Sequence, residues 1–457
     1  MLRLAIAVLL AAATASSAPA AAQNPATQVP AAPAQPMAPA DKSSPAASEE
    51  VALAEAAMAK SDWKTAESKL NPWLAAHPSD ARALFDAGYV ADAQNRLDDA
   101  AGLYRRAIGA DAQSFESHLS LGLLLARQAN AQPNAADSTA KLTEARSEIA
   151  TATTLDPGDA GPALKARAWR ALARIDQAES KGGGDPTEAS NDLLQALKLT
   201  PETMDDTLLA ANLADQAGEP AAAEAAFRRA LVNDPKSAAA NAGLAHLLIA
   251  KKQYPEAESF LRAALAASPD DPALTAQLAA VLAAQDKAEA LPLVQKLHDA
   301  HPGDFAITRM LAEILADAGD FAGSDHYYPA LIAANPNDAS LLVGHGQNLI
   351  RLLHYPDAFA AFDKATQLDP ANADGWSGLA FASSRTNQPS VTLHALTMRS
   401  KFLPEVPSTY FLWATSCDTL HQKAQAIAYY HHFLDAAAGK FPEQEWQARQ
   451  RLLLLEK

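Results

Sequence analysis

Residues 339–370 read ASLLVGHGQNLIRLLHYPDAFAAFDKATQLDP, and this stretch decides the fold. Apolar and small residues return every three to four positions through it, the spacing of one helix face. With Ala339 as position 1, Ala358 at position 20 is small, Phe362 at 24 is large and Ala365 at 27 is small again. These three share a face, at i, i+4 and i+7. A small residue at 20 permits a close helix crossing. Pro370 at position 32 stops the second helix, because it lacks the N–H and its ring clashes with the preceding turn.

The same closing proline recurs outward from this unit. Pro201, Pro235, Pro269, Pro302, Pro336, Pro370 and Pro404 are separated by 34, 34, 33, 34, 34 and 34 residues. A period of that length marks an array of helical hairpins. Eleven units follow, starting near Ala47, Ala81, Phe115, Ala160, Met204, Ala238, Pro272, Phe305, Ala339, Ala373 and Pro407. Position 20 is also Ala66, Ala100, Ala145, Ala189, Ala223, Ala257, Ala290 and Ala426, and position 24 is large throughout. Position 34 offers helix caps: Asp80, Ser114, Asp159, Thr203, Ser237, Asp271, Asp304, Asp338 and Asn372. Breakers such as Gly218-Glu219-Pro220 and Gly319-Asp320 separate the two helices of a unit. Units 3 and 4 carry extra residues, near 129–138 (with Pro133) and 181–186 (with Gly182, Gly183 and Gly184), placed in the loop between their helices.

The pattern resembles the tetratricopeptide repeat family, whose motif runs Trp, Leu-Gly, Tyr, then Ala, Phe and Pro. The second half of the motif is strong here. The first half is weak, with Trp at position 4 only at Trp376, and Gly at position 8 only at Gly88, Gly122 and Gly346. The resemblance implies an all-α, right-handed superhelical solenoid over residues 47–440. Residues 441–457 are expected to form a capping helix whose 452–455 leucine run packs on unit 11, the rival being an amphipathic docking tail.

The bulk numbers fit. A chain of 457 residues exceeds one compact core, but repeats contact only their neighbours. The 49% hydrophobic content excludes disorder of the whole chain. A net charge of −16 argues against nucleic acid as partner. Cys417 is the single cysteine, so there is no internal disulfide; as position 11 of a first helix it is expected to be buried and inert. Met1-Leu2-Arg3, an apolar run over 4–13 and Ala20-Ala21-Ala22 read as a signal peptide cleaved before Gln23, and 23–46 as an Ala/Pro-rich tether. Periplasmic or secreted export follows as an expectation, with no later membrane span.

No catalytic constellation is visible: G-x-x-x-x-G-K-[ST], G-x-G-x-x-G, G-x-S-x-G and H-E-x-x-H are all absent. No cofactor is expected. His298 and His301 stand three apart but lack a third ligand, so a metal site is not expected. Lys165, Arg167, Arg170 and Arg174 form one basic cluster, read as a face balanced by nearby carboxylates or as an anchor for an acidic segment.

The resemblance also implies the binding surface. Positions 2, 5, 9, 12 and 13 of each first helix line the family's groove. The candidates are Phe85, Tyr89, Asn212, His246, Arg309, Gln347, Arg351, Phe381, Arg385 and Phe411. The aromatics suit apolar anchors, and the polar groups suit a peptide backbone or carboxylate. The family's two-carboxylate clamp is not present in consecutive units. The implied function is a non-catalytic scaffold for a protein or peptide segment. The alternatives are an adaptor in an envelope export or assembly pathway, and an enzyme of unrecognised class.

Overall fold

A computed structural model describes residues 48–132, 136–158, 161–180 and 185–457. The expected leader and tether, with Pro133, Asp159, Ala160 and the Gly182–Gly183–Gly184 run, lie outside the described residues. Among the described residues all regular structure is helical, with no strand. Packing divides the chain into two units that meet in sequence at Pro269 and Asp270.

In the first unit the helices pack in consecutive pairs. These are α1 (Glu49–Met58) with α2 (Trp63–Ala76), α3 (Ala81–Ala93) with α4 (Leu97–Ala110), and α5 (Phe115–Ala131) with α6 (Ser138–Thr154). Then come α7 (Gly161–Ser180) with α8 (Thr187–Leu199), α9 (Met204–Gln216) with α10 (Pro220–Asn233), and α11 (Ala238–Ala250) with α12 (Tyr254–Ala267). The second unit pairs α13 (Pro272–Ala284) with α14 (Ala290–Ala300), and α15 (Phe305–Asp317) with the short α16 (Phe321–Asp325) and α17 (Tyr328–Ala334). It continues with α18 (Ala339–Arg351) and α19 (Tyr355–Leu368), α20 (Ala373–Arg385) and α21 (Pro389–Arg399), α22 (Pro407–Thr419) and α23 (Lys423–Ala437), and ends on α24 (Pro442–Leu455).

The caps start the first helix of each pair. Asp80, Ser114, Thr203, Ser237, Asp271, Asp304, Asp338 and Asn372 each accept a backbone N–H of the first turn. Each such cap is worth ~1 kcal/mol. In the hairpins of regular length the turn to the second helix has one geometry. Its fifteenth residue is left-handed whether it is Gly218 or Gly319 (φ 73° and 86°) or Leu353, Lys252 or Asn387 (φ 63°, 58° and 54°). The next N–H reaches back five residues, as from His354 to Leu349 O (2.9 Å) and from Gln388 to Ser383 O (2.8 Å). This 6→1 closure satisfies a helix-end carbonyl, and it is strong enough to hold a leucine where only glycine is at ease.

The core is a repeated steric fit. The position-20 alanines Ala66, Ala100, Ala145, Ala189, Ala223, Ala257, Ala358 and Ala426 are all 0% exposed. The large residue at 24 then reaches the small residue at position 8 of its own first helix. An added Cβ on Gly346 would lie 2.8 Å from the Phe362 ring, and one on Gly88 would lie 2.8 Å from Tyr104. The same ring also meets position 6 of the next hairpin. Gly378 approaches Phe362 closer still, and a Cβ on Gly344 would stand 2.9 Å from the Tyr328 hydroxyl. Phe362 is thus held between two glycines, one from its own hairpin and one from its neighbour.

Three expectations need correction. The extra residues of units 3 and 4 do not lie only in loops: α5 and α6 run 17 residues each and α7 runs 20, against 13 for the regular first helices α9 and α11. The second helix of unit 8 is broken. Pro329 has no N–H and its ring opposes the carbonyl of Asp325, so the helix stops there and restarts at Tyr328. Asn348 Nδ2 donates to Phe321 O (2.8 Å) beside the break. In α24, only Leu452 and the half-buried Leu455 of the leucine run face the core, with Ala448. Leu453, Leu454 and Trp446 are exposed.

The steric fit makes a sign prediction. Helix propensity alone says that Gly→Ala in a helix stabilises by ~0.5–1 kcal/mol. Gly102 in α4 has nothing within 4 Å of an added Cβ, so Gly102→Ala should raise the melting temperature. Gly378→Ala drives a methyl into Phe362 and should lower it, at an overpacking cost of ~1–3 kcal/mol. Thermal unfolding by circular dichroism decides; a rise for both variants would refute the wedge.

Candidate functional site

The exposed surface of the first helices carries the candidates, and the structure sorts them into engaged and free. In the second unit, Arg309 is engaged. It donates to Glu313 Oε1 (3.0 Å), to Asp338 Oδ2 (3.1 Å) and to Ser340 Oγ (3.0 Å), and its side chain is only 15% exposed. It ties α15 to the cap of α18 and is a strut rather than a free groove cation. Phe411 turns inward against Phe433 and Tyr430, with ring centroids at 5.0 and 6.4 Å, and also belongs to the packing.

Three other residues stay open. Arg351 stands with Cζ over the Phe321 ring, 4.8 Å from its centroid. Arg385 lies over Tyr355 in the same way at 4.9 Å, with Nη2 a long 3.4 Å from the phenol oxygen. Phe381, one helical turn before Arg385, meets Tyr355 edge-on at 6.2 Å and keeps 37% of its surface exposed. Gln347 is half-buried one turn before Arg351. The sequence reading missed the aromatic partners. Phe321 and Tyr355 each precede their arginine by 30 residues, a spacing visible once the period is known.

In the first unit, Phe85 packs on Tyr104 at 5.7 Å and joins the core. Tyr89 is half-buried, edge-on to Trp63 at 6.1 Å. Burial, then the Asp92 charge, pushes the Tyr89 phenol up, while Arg167 opposes them. Asn212 is half-buried, and His246 Nε2 stands 3.8 Å from Asp215.

The basic cluster resolves residue by residue. Arg170 grips Asp206 with Nε and Nη2 (both 2.8 Å at closest) and Arg174 reaches Asp205 (3.0 Å), both anchoring the first turn of α9. Lys165 donates to Leu155 O (3.1 Å). Arg167 has no carboxylate partner. It is exposed, and desolvation pulls its pKa down.

Other titratable groups lie inside the packing. Asp86 in α3 is 0% exposed, and neither carboxylate oxygen has a hydrogen-bond partner. Burial, reinforced by the Glu55 charge, pushes it up to about 8 against the pull of Arg82. Asp192 is pushed up to about 7 by burial and by Asp176, within a cluster where Arg146 binds Asp176 (2.6 Å) and Glu188 (2.7 Å). His298 contacts Thr308 Oγ1 (3.3 Å) and the edge of Tyr327, and His301 is the C-cap of α14. Among the described residues no group of three His, Cys, Asp or Glu could hold a metal ion. Cys417 is buried, which pushes its thiol up. On the second-helix side, a cleft of about 700 Å³ opens between α2 and α4, lined by Glu67, Asn71, Arg96, Asp98 and Leu103 among others. No described helix is long and apolar enough to cross a membrane.

These hairpins define the chain as an all-helical repeat array. Two family models described as tetratricopeptide repeat match it, over residues 51–115 and 207–328. Among solved structures it is similar to YrrB, titled a TPR protein with an unusual peptide-binding site, at 22% identity and TM-score 0.37, over 40% of this chain and 96% of that one. It is also similar to pilF of Pseudomonas aeruginosa at 19% identity and TM-score 0.41, over 47% and 97%. The APC/C hetero-tetramer Cut9-Hcn1 matches at 14% identity and TM-score 0.42, over 89% and 83%. No curated protein matches. Residues 51–115 and 207–328 are tetratricopeptide repeats.

Asp86 gives a pH prediction. Its folded pKa of about 8 lies above the unfolded value of ~3.9. The native state therefore holds a proton that the unfolded chain releases, and stability falls as pH rises across that window. Its contribution is whole below about pH 4 and is lost as pH rises through about 8. Asp86→Asn keeps the shape and removes the titration. The variant should gain on wild type in melting temperature between pH 5 and pH 8; parallel curves would contradict the assignment.

Proposed function

We propose that the chain is a non-catalytic scaffold that holds a segment of another protein against the first-helix surface of residues 339–419. Tetratricopeptide repeat proteins mediate protein–protein interactions, and the fold supplies the surface. One observation carries the location: the Phe381–Tyr355–Arg385 group, a partly exposed aromatic ring beside a cation that lies over a second ring. Such a mixture is what a peptide groove offers, an apolar anchor beside an oriented donor. The carboxyl groups whose titration is displaced most, Asp86 and Asp192, sit instead among ion pairs that join neighbouring helices. Their perturbation is accounted for by hairpin packing.

A peptide library panned on the purified chain tests the location. Selected peptides should lose about thirty-fold in affinity on Phe381→Ala, the ~2 kcal/mol at which an aromatic contact counts as a hot spot. Val232→Ala, at a position 81% exposed on α10, should change nothing. Peptides indifferent to Phe381→Ala would remove the site from this surface.

We propose also that the chain is exported, and that an adaptor role in an envelope export or assembly pathway is the finer form of the scaffold reading. The support is sequence alone: the basic residue, apolar run and Ala20-Ala21-Ala22 before Gln23. N-terminal sequencing of the protein recovered from the periplasm of a bacterial host should begin at Gln23. A cytoplasmic chain that retains residues 1–22 would overturn it.

A further inference from the structure

The second unit pairs its arginines with care. Arg309 binds Glu313 and Asp338, Arg399 faces Glu405, Arg449 binds Glu445 and Arg451 chelates Asp418. Arg351 and Arg385 are the two described arginines of this unit with no carboxylate, in a chain of net charge −16. They are not scattered. Each is residue 13 of its hairpin, in consecutive hairpins, and each rests on the aromatic residue 30 positions earlier.

Stacking on a ring covers one face of a guanidinium and fixes its plane, yet leaves the N–H rim free. A cation held this way loses little further freedom on binding and presents a fork that matches a carboxylate at about 2.7–2.9 Å. Nothing on the two helices competes. Helix α18 carries no acidic residue, and α20 carries only Asp374, at its far end. Of the acids on neighbouring elements, Asp320 caps α16, Asp325 is engaged by His345 and Asp418 by Arg451, while Asp357, two residues after Tyr355, forms no ion pair with Arg385. Phe381 lies one turn before Arg385, and Gln347 one turn before Arg351.

We propose that Arg351 and Arg385 are two rungs of a carboxylate-binding ladder, and that the segment held here is an extended acidic peptide. The inference rests on the scaffold reading above and names the chemistry of its ligand. The first helices α18 and α20 pack together, so their axes are ~10 Å apart. A peptide extended as a polyproline II helix rises ~3.1 Å per residue and returns to the same face every third residue, so carboxylates three residues apart meet both rungs. An apolar residue next to one of them then falls against Phe381.

A fluorescein-labelled twelve-residue peptide with Glu at every third position and Leu beside it is the probe. Its Gln isostere and a version with phosphoserine in place of Glu are the comparisons. Fluorescence anisotropy should show binding of the Glu peptide that weakens as salt rises, because both rungs are charge-assisted. Arg351→Gln and Arg385→Gln should each weaken it about ten-fold. Arg385→Lys should recover only part, since it keeps charge but loses the planar fork. Both sites are exposed, and unchanged melting temperatures would show that the variants fold. Equal binding of the Gln isostere, indifference to Arg385→Gln, or binding of the phosphoserine version alone would overturn the ladder. A panned apolar peptide that still depends on Phe381, when the Glu peptide fails, would overturn the ladder and leave the scaffold reading standing. Failure of both peptides would remove both.

Discussion

The structure depends on a steric fit between helices: a large side chain at position 24 set against a small residue at position 8 of its own first helix and, at Phe227, Tyr328 and Phe362, against a glycine of the next first helix. Phe362 shows it whole, with Gly346 from its own hairpin on one side and Gly378 from the next on the other. Because the same ring touches both, it sets the spacing within a hairpin and between hairpins at once. Interiors pack at crystal-like density, so a methyl in this gap cannot be absorbed quietly. Where one glycine is missing, the geometry adjusts. Phe227 has Ala211 in its own first helix and Gly243 in the next, and Tyr104 has Gly88 and then Ser120. At least one side of the wedge must yield room, and a repeat stack with neighbour-only contacts has nowhere else to find it.

The caps link this fit to the charges. Asp338 opens α18 through Oδ1, which accepts from Ser340 and Leu341 N–H, while Oδ2 accepts from Arg309 of the hairpin before. Asp206 does the same for α9. It accepts the Thr203 N–H in a capping box and receives Arg170 from α7; burial would push its carboxyl up, but these partners hold it below the usual range. One carboxylate thus ends one problem, the unsatisfied amides of a helix start, and holds the next hairpin in register. Such bonds are partly exposed and individually modest. They recur at the same seam, where each adds direction to a contact that apolar packing leaves free to slide.

The fold was legible because it rests on residue type at a fixed period. The proline step, the alanines at 20 and the large residue at 24 are readable letter by letter. The left-handed turn was legible only at Gly218 and Gly319. At Leu353 and Lys252 the closing hydrogen bond overrides what the residue prefers, and no single letter announces that. The break in unit 8 was announced by Pro329, but its phase had to be fixed before that proline could be placed inside a second helix. The candidate surface was half legible. Position 13 marks Arg351 and Arg385 correctly as surface arginines, yet position 5 of the same groove marks Arg309, whose partner Asp338 lies 29 residues on in another hairpin. Asp86 was illegible as a buried acid, since a lone Asp in an amphipathic helix reads as solvated.

The division between core and surface positions explains why the array can have a specific ligand while looking generic. Positions 8, 20 and 24 answer to packing and admit few residue types. Positions 9 and 13 of the first helix touch little of the chain's own core, so they are free to carry chemistry. What holds an arginine there is a residue of the preceding second helix, Phe321 or Tyr355, at position 17, just past the turn. That position too lies outside the wedge. A rung of the ladder therefore needs only two surface residues from adjacent hairpins and no change in the fold. In an acidic chain an unpaired guanidinium is also attracted to its own carboxylates. A ring beneath it holds it in place, and α18 carries no acid to draw Arg351 aside.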